Sequence, residues 1–357
     1  MDLPIRILLE PGPDRVVSVD GAWNAPGLNL SHWPGNTTPT ELKHDLSTGI
    51  ALAFARLPDG RQAELAEGCV ALANNHLDTD GVCSMFALRY PELALPRAEK
   101  LLEAAAAGDF FAFPSEPAFV VDAIVTGLRD PERSPWRERF AGLTDEARYE
   151  LCTRETLERF AGILDGEADD LRGLWEPELA ALQADLRDLA QCAKDELVHL
   201  DLVVWTAPPG TVSSRAGGAA VFDPGRHALF ANGGDRVLVL GGIAGGVTYR
   251  FLLGTFSWFE LVTIRALPRP DLGALAEELN ALEGTPTTAE VAWRFQPVTG
   301  ASPELWFGTP DFETFEEHAA PVLRPSALAP ETVKAHLVDA LRATWVFPEE
   351  SAAYPRP

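Results

Sequence analysis

The chain has 357 residues, 46% of them hydrophobic and 23% charged, which is enough for two domains with a sizeable core. Its 53 acidic residues outnumber 29 basic ones, and a net charge of −24 repels long polyanions, which excludes long nucleic acid as a partner. No apolar run reaches about 18 residues, the N-terminus lacks a signal-peptide pattern, and four scattered cysteines make no disulfide framework. We therefore expect a cytoplasmic globular protein that does not engage a membrane.

The first domain, expected over residues 1–128, alternates short β-rich runs with helix-forming segments. This alternation predicts an α/β domain with a parallel sheet. In such sheets ligands bind beyond the carboxyl ends of the strands. The predicted strands are 15–19, 28–32 and 69–73, and the predicted helices are 41–57, 82–89 and 98–107.

Residues 129–198 have apolar residues at spacings of three and four, which is typical of helices that pack on a core. We predict helices at 151–164 and 174–197 that form a connector. Residues 199–350 are expected to form an α+β domain, and the Pro-rich tail 351–357 to be disordered. Its predicted strands are 200–206, 236–240, 249–256, 291–295 and 304–307, and its predicted helices are 272–282 and 330–344.

The loop from His76 to Gly81 offers one imidazole and two carboxylates between two apolar runs. His76, Asp78 and Asp80 stand at alternate positions, so in an extended loop their side chains point the same way. A divalent cation would relieve the repulsion between the carboxylates, and the donor mixture favours Mn, Zn or Fe over Ca. The same letters are also typical of a turn in which Asp caps a helix, and both interpretations remain open.

The pattern His76-x-Asp78-x-Asp80-Gly81, followed by an apolar helix, resembles the first motif of the DHH phosphoesterase superfamily. The strand run that ends in Asp20 is similar to the second motif, and Ser31-His32-Trp33 to the third, Asp-His-His. Residues 45–52 are similar to the Ser-Thr helix after the third motif, and Asp109 stands for the fourth. The resemblance covers about the first third of the chain, with its motifs in an order that circular permutation would produce. The whole chain also resembles an uncharacterised bacterial family.

The resemblance implies a ligand set that could hold two metals about 3.5–4 Å apart, one activating a water and both holding a phosphoryl group. Manganese is the favoured cofactor, with Zn, Fe or Mg as alternatives. Ser31 and Trp33 depart from the third motif, whose second His faces the scissile phosphate in the family. The implied metal ligands are His76, Asp78, Asp80, Asp20, His32 and Asp109.

Three of these ligands also have ordinary interpretations. Asp20 is placed to cap the turn at Gly21, His32 to lie in a turn before Pro34, and Asp109 to end a helix. In the second domain, the glycine pairs lack the context of phosphate-binding loops and indicate hairpin turns. The cationic side chains near them are predicted to bind a substrate phosphate: Arg215, Arg226 and His227.

The resemblance thus implies a metal-dependent phosphoesterase-like hydrolase that acts on a small phosphate ester, phosphodiester or pyrophosphate through metal-activated water. Trp33 in place of the second His leaves a non-catalytic metal- or anion-binding protein as an alternative. A third possibility is an acidic structural or partner-binding protein without a metal site. We expect a small phosphorylated molecule as the partner.

Overall fold

The computed structural model describes residues 1–21, 23, 25–215, 220–231, 233–283, 290–309 and 322–344, so the predicted tail lies outside the described residues. The chain divides into two compact units. No helix in the described ranges is both long enough and apolar enough to cross a membrane. The first unit comprises Met1–Ala184, Gly225–Asn232 and Trp258–Arg265, and the second comprises Asp185–Pro224, Gly233–Ser257 and Ala266–Pro357.

The first unit contains a four-stranded, all-parallel sheet, which confirms the predicted α/β class. Because the strands run in one direction, the segments that leave their carboxyl ends emerge at the same edge of the sheet. Asp20, His32 and the loop at His76 all follow strand ends at that edge. The sheet order is β1-β4-β2-β3, with β1 (Ile5–Ile7), β2 (Val16–Val19), β3 (Gly27–Leu30) and β4 (Leu72–Asn74).

Helices accompany this sheet, and residues from most of them share one core cluster with its strands. The helix predicted from residue 41 begins only at Ser47, because the chain is extended at Leu46 and residues 40–42 form a separate turn of 3-10 helix. The helices are α1 (Ser47–Ala55), α2 (Asp59–Leu65), α3 (Thr79–Arg89), α4 (Pro91–Ala94), α5 (Ala98–Phe110), α6 (Glu116–Arg129), α7 (Asp145–Leu164), α8 (Arg172–Leu189) and α9 (Arg226–Phe230).

The predicted helical connector is packed onto the first unit. Cys152, Leu157 and Phe160 of α7 belong to the same core cluster as the strand residues Val17 and Leu30. Because these apolar faces are buried against the sheet layer, contacts group the chain up to residue 184 with the first unit. The prediction of helix up to residue 197 is wrong, since α8 ends at residue 189 and a strand follows.

The second unit contains a six-stranded mixed sheet, as expected for an α+β fold. Gly245 and Gly246 have positive φ angles at the turn between two antiparallel strands, so this glycine pair forms the predicted hairpin. Two helices, α10 (Leu272–Leu282) and α11 (Pro330–Ala343), contribute to one core with the sheet. The order is β5-β6-β7-β8-β10-β9, with β5 (Ala193–Leu197), β6 (Leu202–Thr206), β7 (Arg236–Ile243), β8 (Gly246–Leu253), β9 (Ala292–Phe295) and β10 (Glu304–Gly308).

Candidate metal centre

The six predicted ligands converge beyond the carboxyl edge of the first unit's sheet. They form an inner group of Asp20, His32, Asp80 and Asp109 and an outer group of Asp20, His76 and Asp78, which share Asp20. Within each group, one ligand atom from every residue lies within 4.8 Å of the others. The inner group is buried, whereas His76 and Asp78 are partly exposed. Residues up to 89 positions apart in the chain therefore meet in one polar cluster.

In the inner group, one imidazole faces three carboxylates. Nε2 of His32 lies 2.9 Å from Oδ2 of Asp109 and 3.6 Å from an oxygen of both Asp20 and Asp80. Nδ1 of His32 lies 2.6 Å from the carbonyl oxygen of Asp45, which can only accept, so the proton resides on Nδ1. Burial lowers the pKa of His32 and so favours its neutral form. A neutral ring then directs the lone pair of Nε2 toward the carboxylates, as a metal-ligating histidine does.

The outer group is built on an imidazole–carboxylate pair. Nε2 of His76 lies 2.9 Å from Oδ2 of Asp78 and 3.3 Å from Oδ2 of Asp20. Burial alone would lower the pKa of His76, but the charges of Asp78 and Asp20 outweigh it and raise the pKa to about 10. Burial would likewise raise the pKa of Asp78, but His76 holds it well below its ordinary value. Without a metal, protonated His76 thus supplies the local positive charge.

Backbone groups hold two of these aspartates in place. The backbone N–H groups of Ser47 and Thr48, at the start of α1, donate to the two carboxylate oxygens of Asp80 at 2.8 and 2.7 Å. Asp78 caps its own helix α3 by accepting the backbone N–H of Gly81 at 2.9 Å. Asp78 therefore caps α3 and also belongs to the outer ligand group, so both interpretations of this loop apply. Capping alone does not account for Asp20 or Asp109.

Asp20 shows most clearly that the cluster holds more buried negative charge than its histidines balance. Its backbone lies in the left-handed region, with φ of 48°, which is uncommon for a residue other than glycine. Burial, followed by the charges of Asp78 and Asp80, raises its pKa well above the ordinary value. Burial and the same kind of neighbouring charge raise the pKa of Asp109. These carboxylates repel one another, and a cation would relieve that repulsion.

Oδ2 of Asp20 and Nε2 of His32 are buried and make no hydrogen bond of good geometry among the described residues, although Nε2 of His76 lies 3.3 Å from the first and Oδ2 of Asp109 lies 2.9 Å from the second. Leaving a buried polar atom unsatisfied costs about 1–3 kcal/mol, so such atoms call for a ligand or another explanation. Carboxylate oxygen and imidazole nitrogen are donors that Mn²⁺, Zn²⁺ and Fe²⁺ accept. The residues present therefore fit a divalent metal.

The two departures from the resembled third motif have separate roles. Ser31 is a turn residue, since its hydroxyl accepts the backbone N–H of Trp33 at 3.0 Å and its own N–H donates to Thr38. The indole of Trp33 lies beside the outer group, with its centroid 4.9 Å from the His76 ring and 4.9 Å from that of Trp258. An aromatic surface thus borders the centre next to His76.

The predicted phosphate-binding cations do not form one group within the second domain. Arg226 and His227 belong to the first unit, so their placement in the second domain is wrong, whereas Arg215 is in the second unit. Nε2 of His227 lies 2.9 Å from the carbonyl oxygen of Ala107, and the Arg226 guanidinium lies 5.2 Å above the ring of Phe111. α9 packs on first-unit groups, and sequence spacing alone did not indicate this. Phosphate binding by these residues stays a prediction.

Sequence reasoning missed several residues that build the centre. Ser47 donates its hydroxyl to Oδ1 of Asp20 at 2.9 Å; the sequence placed it in the segment that resembles the Ser-Thr helix but gave it no contact with a ligand. Phe259 stacks on His32 with ring centroids 3.8 Å apart, and no local pattern marks it. Asn75 accepts from Nδ1 of His76 at 2.7 Å and leaves Nε2 for the outer group.

Comparison with known proteins assigns no activity to this site, and the resemblance to DHH phosphoesterases remains a prediction. No curated protein and no solved structure matches the chain significantly. A family model, described as Family of unknown function (DUF6687), matches residues 8–352. That range covers nearly the whole chain, so the protein belongs to this family of unknown function.

Proposed function

We propose that the protein is a metal-dependent phosphohydrolase whose first unit binds two divalent cations. The observation that carries this proposal is the pair of ligand groups that share Asp20. A carboxylate common to two groups suits a binuclear site, because it could supply a ligand atom to each cation. The unsatisfied Nε2 of His32 and Oδ2 of Asp20 support the proposal, since both atoms face the cluster.

Each group would hold one cation. The four carboxylates of the cluster could carry four negative charges, which two divalent cations would balance. Such cations supply the Lewis acidity that acidifies water and offsets the charge of a phosphoryl group. The inner cation would be held by Asp20, His32, Asp80 and Asp109, and the outer one by Asp20, His76 and Asp78.

The difference in burial between the groups supports an assignment of roles. The side chains of His76 and Asp78 are 14% and 29% exposed, whereas that of His32 is fully buried. Three protein ligands leave positions open on an octahedral cation, so the outer group suits substrate and water. The inner group would mainly anchor the first cation. A chain with net charge −24 repels large polyanions, so the substrate would be a small phosphate compound.

Trp33 favours a second candidate function, that of a metal-binding protein without turnover. The resembled motif has a histidine at this position, and an indole ring cannot exchange a proton with a leaving group. In a working hydrolase, water or another side chain would have to protonate that group. Turnover therefore separates the two candidates, whereas metal binding is common to both.

The test compares the wild-type protein with Asp20→Asn, because Asp20 belongs to both ligand groups. Asp80 is a poorer first choice, since its loss also removes the acceptor for the start of α1. Asp14→Asn, at an exposed aspartate, is the matched control. Metal content would be measured after incubation with Mn²⁺, and hydrolysis assayed on pyrophosphate, p-nitrophenyl phosphate and its diester.

About two equivalents of Mn²⁺ with turnover, both lost in Asp20→Asn and kept in Asp14→Asn, would support the hydrolase. Stoichiometric metal without turnover of any of these compounds would support the binding protein instead. Absence of bound metal in the wild-type protein would refute both candidates.

A further inference from the structure

A short segment from the C-terminal half of the chain belongs to the first unit and contacts the centre. Residues 258–263, which we call the strap, lie within Trp258–Arg265 of that unit. None of the strap residues is a member of either ligand group. The strap nevertheless contacts His32 directly and reaches it a second time through Asp45.

The direct contacts hold both the ring and the backbone of His32. The ring of Phe259 stacks on the imidazole with a centroid separation of 3.8 Å and an interplanar angle of 18°. The backbone N–H of Glu260 donates to the carbonyl oxygen of His32 at 2.8 Å. Stacking restricts rotation of the ring out of its plane, and the backbone bond fixes the residue that carries it.

The indirect contact runs through Asp45, whose carbonyl oxygen accepts the Nδ1 proton of His32. The carboxylate of Asp45 accepts the backbone N–H groups of Val262 and Thr263 at 2.5 and 3.0 Å, and also the Thr263 hydroxyl. The strap thereby fixes the residue whose carbonyl selects the tautomer of His32. That tautomer leaves Nε2 as the basic atom of the ring.

Glu260 ties the strap to the loop that joins His32 to Asp45. Its carboxylate accepts the backbone N–H of Gly35 at 2.9 Å and the side-chain amide of Asn36 at 2.8 Å. Lys43 approaches the same carboxylate at 3.4 Å. The loop between ligand and acceptor is therefore held along its length by one strap side chain.

We infer that the strap is a positioning element that sets the plane and tautomer of His32 so that Nε2 faces Asp20, Asp80 and Asp109. This inference rests on the proposed metal centre, because the strap would orient His32 as a ligand of the metal. Partners that orient a metal-ligating histidine typically contribute 10- to 100-fold to metal affinity. Phe259 and Thr263 are the strap side chains that act on His32, one by stacking and one through Asp45.

The test uses the full chain with Phe259→Leu and Thr263→Val. Thr263→Ser restores the hydroxyl, and Val262→Ala is the matched control, because Val262 contributes only its backbone N–H to Asp45 and the residue is 52% exposed. Mn²⁺ affinity would be measured by titration calorimetry. The tautomer of His32 in the metal-free protein would be read from long-range proton–nitrogen NMR correlations of the imidazole.

We expect Phe259→Leu and Thr263→Val to weaken Mn²⁺ binding roughly 10- to 100-fold and to shift His32 away from the pure Nδ1–H tautomer. Thr263→Ser and Val262→Ala should stay near the wild-type values. His32→Ala distinguishes failure of the metal centre from failure of the strap to position His32. If His32→Ala keeps full Mn²⁺ affinity, the metal centre itself is refuted. If His32→Ala loses metal while Phe259→Leu and Thr263→Val retain both affinity and tautomer, the centre stands and the strap inference is overturned.

Discussion

Each unit buries a cluster of charged side chains, and the two clusters differ in the source of opposite charge. In the second unit, Arg250 lies between Glu304 and Asp223 and donates to them at 2.6 to 2.7 Å. The charges of these carboxylates overcome the effect of burial and raise the pKa of Arg250. In the first unit, four buried or half-buried aspartates face two imidazoles, and Nε2 of His32 makes no hydrogen bond of good geometry among the described residues.

The difference indicates which buried charge clusters need an external cation and which do not. Where the chain supplies a guanidinium with matched donors, the cluster is internally balanced and needs no ligand. Where carboxylates outnumber the cations that the chain can offer, an external cation balances the charge. The second-unit cluster is thus internally balanced, whereas the first-unit cluster lacks a matching cation of its own, which is why we propose a metal there.

The largest expected effect concerns the balanced cluster. Arg250→Met would leave Glu304 and Asp223 buried without their cation, so we expect the free energy of unfolding to fall by about 3–5 kcal/mol. Urea unfolding followed by circular dichroism measures it. A loss below about 1 kcal/mol would mean that Arg250 does not balance this cluster.

The first-unit cluster should respond to metal. Mn²⁺ at about 100 times its dissociation constant should stabilise the wild-type protein by about 2.7 kcal/mol, because only the folded state binds it. Chelation should reverse the effect. Thermal unfolding with Mn²⁺ and with EDTA measures it, and Asp20→Asn should not respond. Equal melting temperatures in both conditions would contradict the uncompensated-cluster interpretation.

Removal of one charge should have opposite signs in the two clusters. In metal-free protein, Asp20→Asn should raise the free energy of unfolding, since burial and the charges of Asp78 and Asp80 disfavour the charged carboxylate more than His76 favours it. Asparagine also tolerates the left-handed backbone at this position. Asp223→Asn is the matched change in the second unit, and it should destabilise, because Arg250 loses a partner. Urea unfolding of both variants in EDTA distinguishes them, and effects of the same sign would refute the comparison.

Asp235 in the second unit is intermediate between the two clusters. Its expected effect on the free energy of unfolding is smaller. Burial, aided by the charge of Asp201, raises its pKa from 3.8 to about 6, although the N–H groups of Phe256 and Ser257 donate to it. The folded state therefore keeps its proton to higher pH than the unfolded chain, so stability falls as pH rises through this window. Between pH 4.5 and 6 the wild-type protein should lose about 1.5 kcal/mol relative to Asp235→Asn. Urea unfolding of both proteins at the two pH values checks this, and parallel pH profiles would contradict it.

Local patterns predicted most elements of both units. α10 has the predicted bounds, and α11 ends one residue before its predicted end. β5 was missed because its residues are mostly exposed and charged, so no apolar alternation marks it, and it is defined by its antiparallel pairing with β6. The start of α1 was placed too early because Leu46 is extended, and the backbone N–H groups of Ser47 and Thr48 at the true start donate to Asp80 on another element.

The sequence by itself indicated where Asp20, His32 and the His76 loop lie, because in a parallel sheet the segments that follow strand ends meet at one edge, whereas Asp109 was implied only by the family resemblance. It therefore brought Asp20, His32 and His76 together before any contact was known. Only the tertiary structure decided how those ligands are held. The stacking of Phe259 on His32 joins residues more than 200 positions apart, and the grouping of Arg226 and His227 with the first unit depends on packing. Such contacts form only when the chain folds, and no short-range periodicity encodes them.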